Sequence, residues 1–238
     1  MKEIESHLDS VTKWADAIRT NLAAVLAARG GEVHFRPTSS GVTMVGLRPE
    51  RPQRGKGGYR DLAALAADFD AEFRKHCVDV DQGRPTEEKE LQSWLVAQAQ
   101  TNDGVLTPLF PKGDVVFVTD EIPVPYQGGR IVCDLLAARP FGPGRVRPVL
   151  IELKSERAMK RLVQQVTDYA TLIDAHPKPF ERLYGALLGN AVQFEGPTEK
   201  HIVWPAPASG GEPQRPKLKA LNISVTTYKR ATTGFESA

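Results

Sequence analysis

Asp134, Glu152 and Lys154 are the residues of this chain whose types and spacing could do chemistry. Each is a charge in an otherwise apolar run: Asp134 among Ile131, Val132, Cys133, Leu135 and Leu136, and Glu152 and Lys154 among Val149, Leu150, Ile151 and Leu153. An acid in such surroundings is costly unless something compensates it. Side chains alternate along a strand, so Val149, Ile151 and Leu153 face one way and Leu150, Glu152 and Lys154 the other. Glu152 and Lys154 are then neighbours on one face, roughly 7 Å apart at about 3.3 Å of rise per residue. Asp134 and Glu152 are hard-oxygen donors suited to Mg²⁺ or Mn²⁺. A cation held that way acidifies a bound water and grips phosphate oxygens, which phosphodiester hydrolysis requires.

The elements that must position these groups are legible nearby. Residues 130–138 and 148–155 read as two strands of a hairpin, parted by Arg139-Pro140-Phe141-Gly142-Pro143-Gly144. Proline fixes φ there and glycine supplies conformations that other residues avoid. After Ser155, a candidate N-cap, the period becomes helical through Met159, Leu162, Val163, Val166, Tyr169, Ala170 and Ile173. Gln165 and Tyr169 stand four apart and share a face of that helix. Upstream, Thr86 caps a helix whose first turn carries Glu87, Glu88 and Glu90, as the macrodipole favours. Glu88 shares a face with Leu91 and Leu95 and so points at the core, ahead of Glu90.

Asp134, then Glu152-Leu153-Lys154, then Gln165 and Tyr169 as Gln-x-x-x-Tyr, resemble in order and spacing the active-site motifs of the PD-(D/E)xK nuclease superfamily, particularly its RecB-like branch. The IELKS stretch and the Glu-x-x-Leu at Glu88 to Leu91 are similar to NucS-like and Shedu-like members. The resemblance covers roughly residues 87–175, with Cys133 standing where the family's name has a proline. It implies an α/β, restriction-endonuclease-like fold: a mixed sheet flanked by helices, here preceded by an α-rich region with a small β-hairpin. It also implies Mg²⁺ or Mn²⁺ held by Asp134, Glu152 and the Leu153 carbonyl, with Glu88 as a further acid. Lys154 would position the attacking water or stabilise developing charge, and Gln165 and Tyr169 would orient the site and touch the substrate backbone. The expected activity is DNA cleavage in restriction, phage defence or repair. Two-strand cutting would favour a homodimer, and a partner protein of a defence or repair system is a further expectation. The alternative is a non-catalytic module that keeps the fold to bind nucleic acid or protein, which would have no need of the charged triad.

Composition bounds these readings. With 238 residues, 41% of them hydrophobic, the chain can bury one good core and a smaller appended region. A net charge of only +2 means that any nucleic-acid surface must come from local clustering. Arg51, Arg54 and Lys56, among glycines and prolines, could follow a phosphate backbone, or else form an ordinary solvated loop. Arg157 and Lys160, on the first turns of the later helix, join them as candidates. Cys77, expected in a helix, and Cys133, expected in a buried strand, offer neither a disulfide framework nor a Cys-x-x-Cys zinc site, which fits a reducing cytosol. The N-terminal apolar residues follow helical spacing rather than a signal-peptide pattern, and no run reaches membrane-spanning length. A cytoplasmic protein with no membrane partner is expected.

The chain divides, on this reading, into an N-terminal helical region with hairpin and basic loop (1–80) and a nuclease-like domain (81–238). The first helix should stop at Gly30-Gly31, residues 32–36 and 41–47 should pair, and residues 61–77 should be helical. Residues 114–124 should form the first core strand. Residues 182–190, apolar almost throughout, read as a short strand buried on both faces. Residues 201–207 and 222–229 add two strands, 208–217 read as a surface loop, and 231–238 look frayed. The sheet should then have four or five strands.

Overall fold

The helical spacing of Leu8, Val11, Ala15 and Ile18 becomes α1 (Lys2–Asn21), which bends at Leu22 into α2 (Ala23–Ala28), short of Gly30. The computed structural model describes residues 2–47, 53–55, 57–79, 86–154, 159–206 and 215–238, with residues 53–55, 77–79, 159–161 and 215 in backbone only. The expected hairpin follows as β1 (Val33–Thr38) and β2 (Gly41–Gly46), antiparallel in register from Val33↔Gly46 to Thr38↔Gly41. It is half of a larger sheet. Part of the expected basic loop is a strand, β3 (Gln53–Gly55), and after α3 (Leu62–Ala67) and α4 (Phe69–His76) comes β4 (Cys77–Asp79), giving the order β1-β2-β3-β4. Cys77 therefore opens a strand instead of ending a helix. Asp61 caps α3 by accepting from the Ala64 N–H, and Asp68 separates it from α4.

The second half begins with α5 (Glu87–Thr101), capped by Thr86, whose hydroxyl accepts from the Lys89 N–H. Asn102, Asp103 and Gly104 end it, the last two at positive φ. Then come β5 (Val116–Asp120), β6 (Val124–Tyr126), β7 (Gly129–Ile131), β8 (Leu135–Pro140) and β9 (Arg145–Leu153). The chain continues through α6 (Met159–Ala175), α7 (Pro177–Leu188), β10 (Gln193–Phe194), β11 (Glu199–Pro205), α8 (Arg215–Ala220), β12 (Ile223–Arg230) and β13 (Phe235–Ser237). β6 and β7 pair with each other, while the rest form one mixed sheet in the order β13-β12-β11-β9-β8-β5, with β10 beside the start of β9. β9 is antiparallel to β8 and parallel to β11, which is parallel to β12. The α/β class and the N-terminal region with its hairpin are as expected.

Alternation along β9 sorts the two faces. Val149, Ile151 and Leu153 enter an apolar cluster with Leu91, Leu95 and Val96 of α5. Leu150 enters the opposite cluster with Leu162, Val166 and Ile173 of α6 and Phe180 and Leu183 of α7. A third cluster joins Ile18, Leu22 and Val25 to Phe35, Met44 and Leu65 of the first sheet and its helix. Leu8, Val11 and Ala15, earlier on α1, belong instead to the α6–α7 cluster.

Other expectations are corrected. Residues 182–188 of the expected strand lie in α7, with Pro177 at its start and Gly189 capping it at φ +76°. A proline in the first helical turn sacrifices no hydrogen bond. Phe180, Leu183, Tyr184 and Leu187 carry a helical stripe that the neighbouring apolar Ala186 and Leu188 obscure in the sequence. The end of the chain is not frayed: β13 pairs with β12, and Phe235 is buried against Tyr228. Among the described residues the main sheet has seven strands rather than four or five, since β10 and β13 join it. The Ser155 cap and residues 208–214 of the expected loop lie outside the described residues, and the rest of that loop, 215–217, opens helix α8.

Candidate active site

The ladder between β8 and β9 ends at Leu135↔Ile151, and the charged residues stand just beyond it. The continuous strand expected over 130–138 is in fact interrupted: β7 pairs with β6 in a sheet of their own, residues 132–134 lie in no strand, and β8 then enters the main sheet. The interruption gives Asp134 polar neighbours that a sealed position inside a central strand would lack. Its Oδ2 accepts from the Leu153 N–H at 2.8 Å, and its own N–H donates to Glu152 Oε2 at 3.4 Å. Its carbonyl accepts from the Glu121 N–H at 3.1 Å. Side-chain amides replace the missing strand partners, as buried backbone groups require. Gln165 Nε2 donates to the Val132 carbonyl at 2.8 Å, and Gln92 Nε2 to the Asp134 carbonyl at 3.4 Å.

Lys154 is the first residue past β9. Its N–H donates to the Val203 carbonyl on β11 at 2.9 Å, and its own carbonyl accepts from the Tyr228 hydroxyl at 3.3 Å. The side chain turns back over the end of the ladder. Its ammonium lies 2.8 Å from Glu152 Oε1, 3.7 Å from Glu88 Oε1 and 3.8 Å from Asp134 Oδ2. Glu88 comes from α5 on one side of the sheet, and from α6 on the other Gln165 Nε2 donates to Glu152 Oε1 at 2.8 Å. Glu152 is 1% exposed and Asp134 8%.

Three carboxylates therefore share one ammonium. Burial, and then the charge of Glu152, raise Asp134 far above the usual carboxylate range, and burial raises Glu152 against the pull of Lys154. Burial disfavours the charge on Lys154, but Asp134 and Glu152 outweigh it and hold the ammonium above its ordinary pKa. The cluster is short of positive charge, and its donors are the hard oxygens that Mg²⁺ and Mn²⁺ take. Among the described residues no three His, Cys, Asp or Glu side chains form a ready-made metal cage. The Lys154 ammonium sits where the carboxylates converge. By charge and donor type Asp134, Glu152 and Glu88 fit a divalent cation. The neighbouring Cys133 is no nucleophile: its thiol donates to the Leu135 and Ile151 carbonyls, and burial raises it well above its usual pKa.

No protein-family model and no curated protein matches the chain. Among solved structures it is similar to an EndoMS–dsDNA complex, at TM-score 0.38 and 12% identity, over 84% of this chain and 65% of the length of that one. At that distance the likeness assigns neither activity nor substrate. The chemistry rests on the geometry of the site.

The other residues singled out in the sequence lie as follows. Tyr169 is fully buried on α6, and its hydroxyl donates to the Ile122 carbonyl at 3.0 Å. That position holds the exit of β5 and leaves no face for a substrate, contrary to the contact expected from the resemblance. Glu90 turns away to pair with Arg230. Arg51, Lys56 and Arg157 lie outside the described residues, while Arg54 lies in β3 and Lys160 in α6, both described in backbone only.

Sequence reasoning missed a second set of charges behind Asp134. Asp120 and Glu121, at the end of β5, meet Arg36 of β1 and Lys89 of α5. Burial works against ionised Asp120, yet Arg36 and His34 hold it well below the usual carboxylate range. The one local signal was Gln92, four residues after Glu88 and thus on the same helical face.

Proposed function

We propose that the chain is a nuclease that hydrolyses DNA phosphodiester bonds with Mg²⁺ or Mn²⁺, in restriction, defence or repair. The observation that carries this reading is the convergence of Asp134, Glu152 and Glu88 on Lys154 at the end of the β8–β9 ladder. Asp134 and Glu152 would hold the cation, with Glu88 and the Leu153 carbonyl as further donors. The chemistry a bound divalent cation supplies is that of a Lewis acid, acidifying water toward neutral pH and polarising a phosphate oxygen.

The chain's own groups do the rest. Glu152 is fixed by Gln165, so its orientation costs no reorganisation when substrate arrives. Lys154 keeps its proton and carries three N–H donors, able to orient a water and to meet negative charge growing on phosphate oxygens. The Val203 and Tyr228 contacts hold its backbone while the side chain acts. Arg51, Arg54, Lys56, Arg157 and Lys160 would contact phosphates and make binding salt-dependent.

The test is incubation of the purified protein with supercoiled, linear duplex and single-stranded DNA, each with Mg²⁺, Mn²⁺ or EDTA, beside Glu152→Gln. Metal-dependent cutting by wild type alone supports the reading, and the substrate consumed separates internal from end-dependent cleavage. Salt-dependent binding without cutting would instead favour a binding module. Equal cutting by Glu152→Gln would overturn the site assignment.

A further inference from the structure

The buried charges behind the carboxylate cluster form a continuous path from the first sheet to Asp134. On β1, Arg36 is 4% exposed. Its Nε donates to Asp120 Oδ1 at 2.8 Å and its Nη1 to Glu121 Oε2 at 2.6 Å, and Nη2 meets the other Asp120 oxygen. His34 Nε2 lies 3.0 Å from Asp120 Oδ1. The path continues on α5. Gln92 Nε2 faces Asp120 Oδ2 at 3.1 Å and the Asp134 carbonyl at 3.4 Å, while its Oε1 accepts from Lys89 Nζ at 3.0 Å. The ammonium on one end and the two oxygens on the other fix which way the amide points.

We propose that Gln92 is a positioning residue through which the docked N-terminal sheet sets the placement of Asp134. The proposal rests on reading Asp134 as a cation-holding carboxylate. Asp134 stands just outside β8, so its carbonyl is held by the Glu121 N–H, the last rung of the β5–β8 pairing beyond Asp120↔Leu135, and by the Gln92 amide. Glu121 is itself in the left-handed region at φ +41°. A non-glycine residue keeps that conformation only where its surroundings over-determine it. Here Arg36 and Lys89 grip its carboxylate. Gln92 locks the arrangement from the other side, one helical turn after Glu88.

The test uses the full chain without metal, as wild type, Gln92→Met and Gln92→Glu, two side chains of similar length that lack the amide donor. Residue-resolved hydrogen exchange reads two amides: Leu153, which donates to Asp134 Oδ2, and Glu121, which donates to the Asp134 carbonyl. Both should exchange about tenfold faster in either variant that keeps the wild-type melting temperature, with Val166 on α6 unchanged. Mn²⁺ binding followed by calorimetry should weaken by about tenfold, as loss of an outer-shell partner does. Unchanged exchange at both amides overturns the proposal, whatever the metal does, and leaves the nuclease reading standing. Faster exchange with no Mn²⁺ binding even in wild type keeps the positioning role and removes the nuclease reading.

Discussion

Gln165 Nε2 and Lys154 Nζ both lie 2.8 Å from one oxygen, Oε1 of Glu152. The same Gln165 amide also donates to the Val132 carbonyl. One side chain thus orients an acid of the site and satisfies the backbone where the strand before Asp134 breaks.

Gln165→Leu should therefore lower metal-dependent cleavage by about 10–100-fold, the usual range for a partner that orients a ligand. Circular dichroism should show an intact fold. Full activity in this variant would mean that Glu152 is held without the amide.

Lys154→Met and Glu152→Gln should part company. Both should abolish cleavage. Lys154→Met removes the ammonium on which three carboxylates converge, so Mn²⁺ should bind at least as tightly as in wild type, whereas Glu152→Gln should bind it about tenfold or more weakly for loss of a ligand. Calorimetric titration of both variants decides the matter, and weaker binding by Lys154→Met would contradict the charge balance described for the site.

Without metal, the cluster should destabilise the fold as pH rises. Burial and Glu152 raise Asp134 to about 8, so the folded state holds a proton that the unfolded chain, with a pKa near 4, releases. Stability attributable to this group is thus lost between about pH 4 and pH 8. Asp134→Asn keeps an oxygen to accept from Leu153 and removes the charge. At pH 8 it should be more stable than wild type by about 0.5–2 kcal/mol, a gain bought at the expense of function. Urea unfolding at pH 5 and pH 8 should show the difference growing with pH. A constant difference would place its origin elsewhere.

Arg36→Met should be among the most damaging substitutions away from the site. It leaves Asp120 buried with His34 as its remaining close basic partner, and breaking a buried pair costs about 3–5 kcal/mol. The folded pKa of Asp120 lies below its unfolded value, so the stability it supplies is present above about pH 4 and fades as pH falls further. Wild type should lose stability on acidification below pH 4 more steeply than Arg36→Met, measured by denaturant melts at each pH.

Tyr169→Phe should cost about 1–3 kcal/mol, because the Ile122 carbonyl loses its donor in a buried place. Cleavage per folded molecule should not change, since the hydroxyl faces no substrate. A selective loss of activity would argue that the ring moves.

Much of the site lies in short-range patterns, and such patterns can be read from one sequence. Alternation put Glu152 and Lys154 on one face, and the face shared with Leu91 ranked Glu88 ahead of Glu90; in the structure Glu88 lies 3.7 Å from Lys154, while Glu90 pairs with Arg230. Other features depend on partners far along the chain. Nothing around Arg36 announces that Asp120 will meet it, nothing in Gln53 to Gly55 announces pairing with Val45 and Cys77, and nothing near Phe235 announces Tyr228. The mistaken strand over 182–190 has a different cause. An apolar stretch that short reads equally well at either period, and Pro177, two residues past the end of α6, opens a new helix.

The first helix has a consequence for anyone cutting this protein into pieces. Leu8, Val11 and Ala15 fill the core against α6 and α7, while Ile18 fills the core beside the first sheet. A gene fragment beginning at residue 81 would leave a furrow of oily side chains open to water along α7 and would aggregate. Supplied from a second plasmid, residues 1–80 would find that furrow and close it, so the two halves would purify together as a split protein.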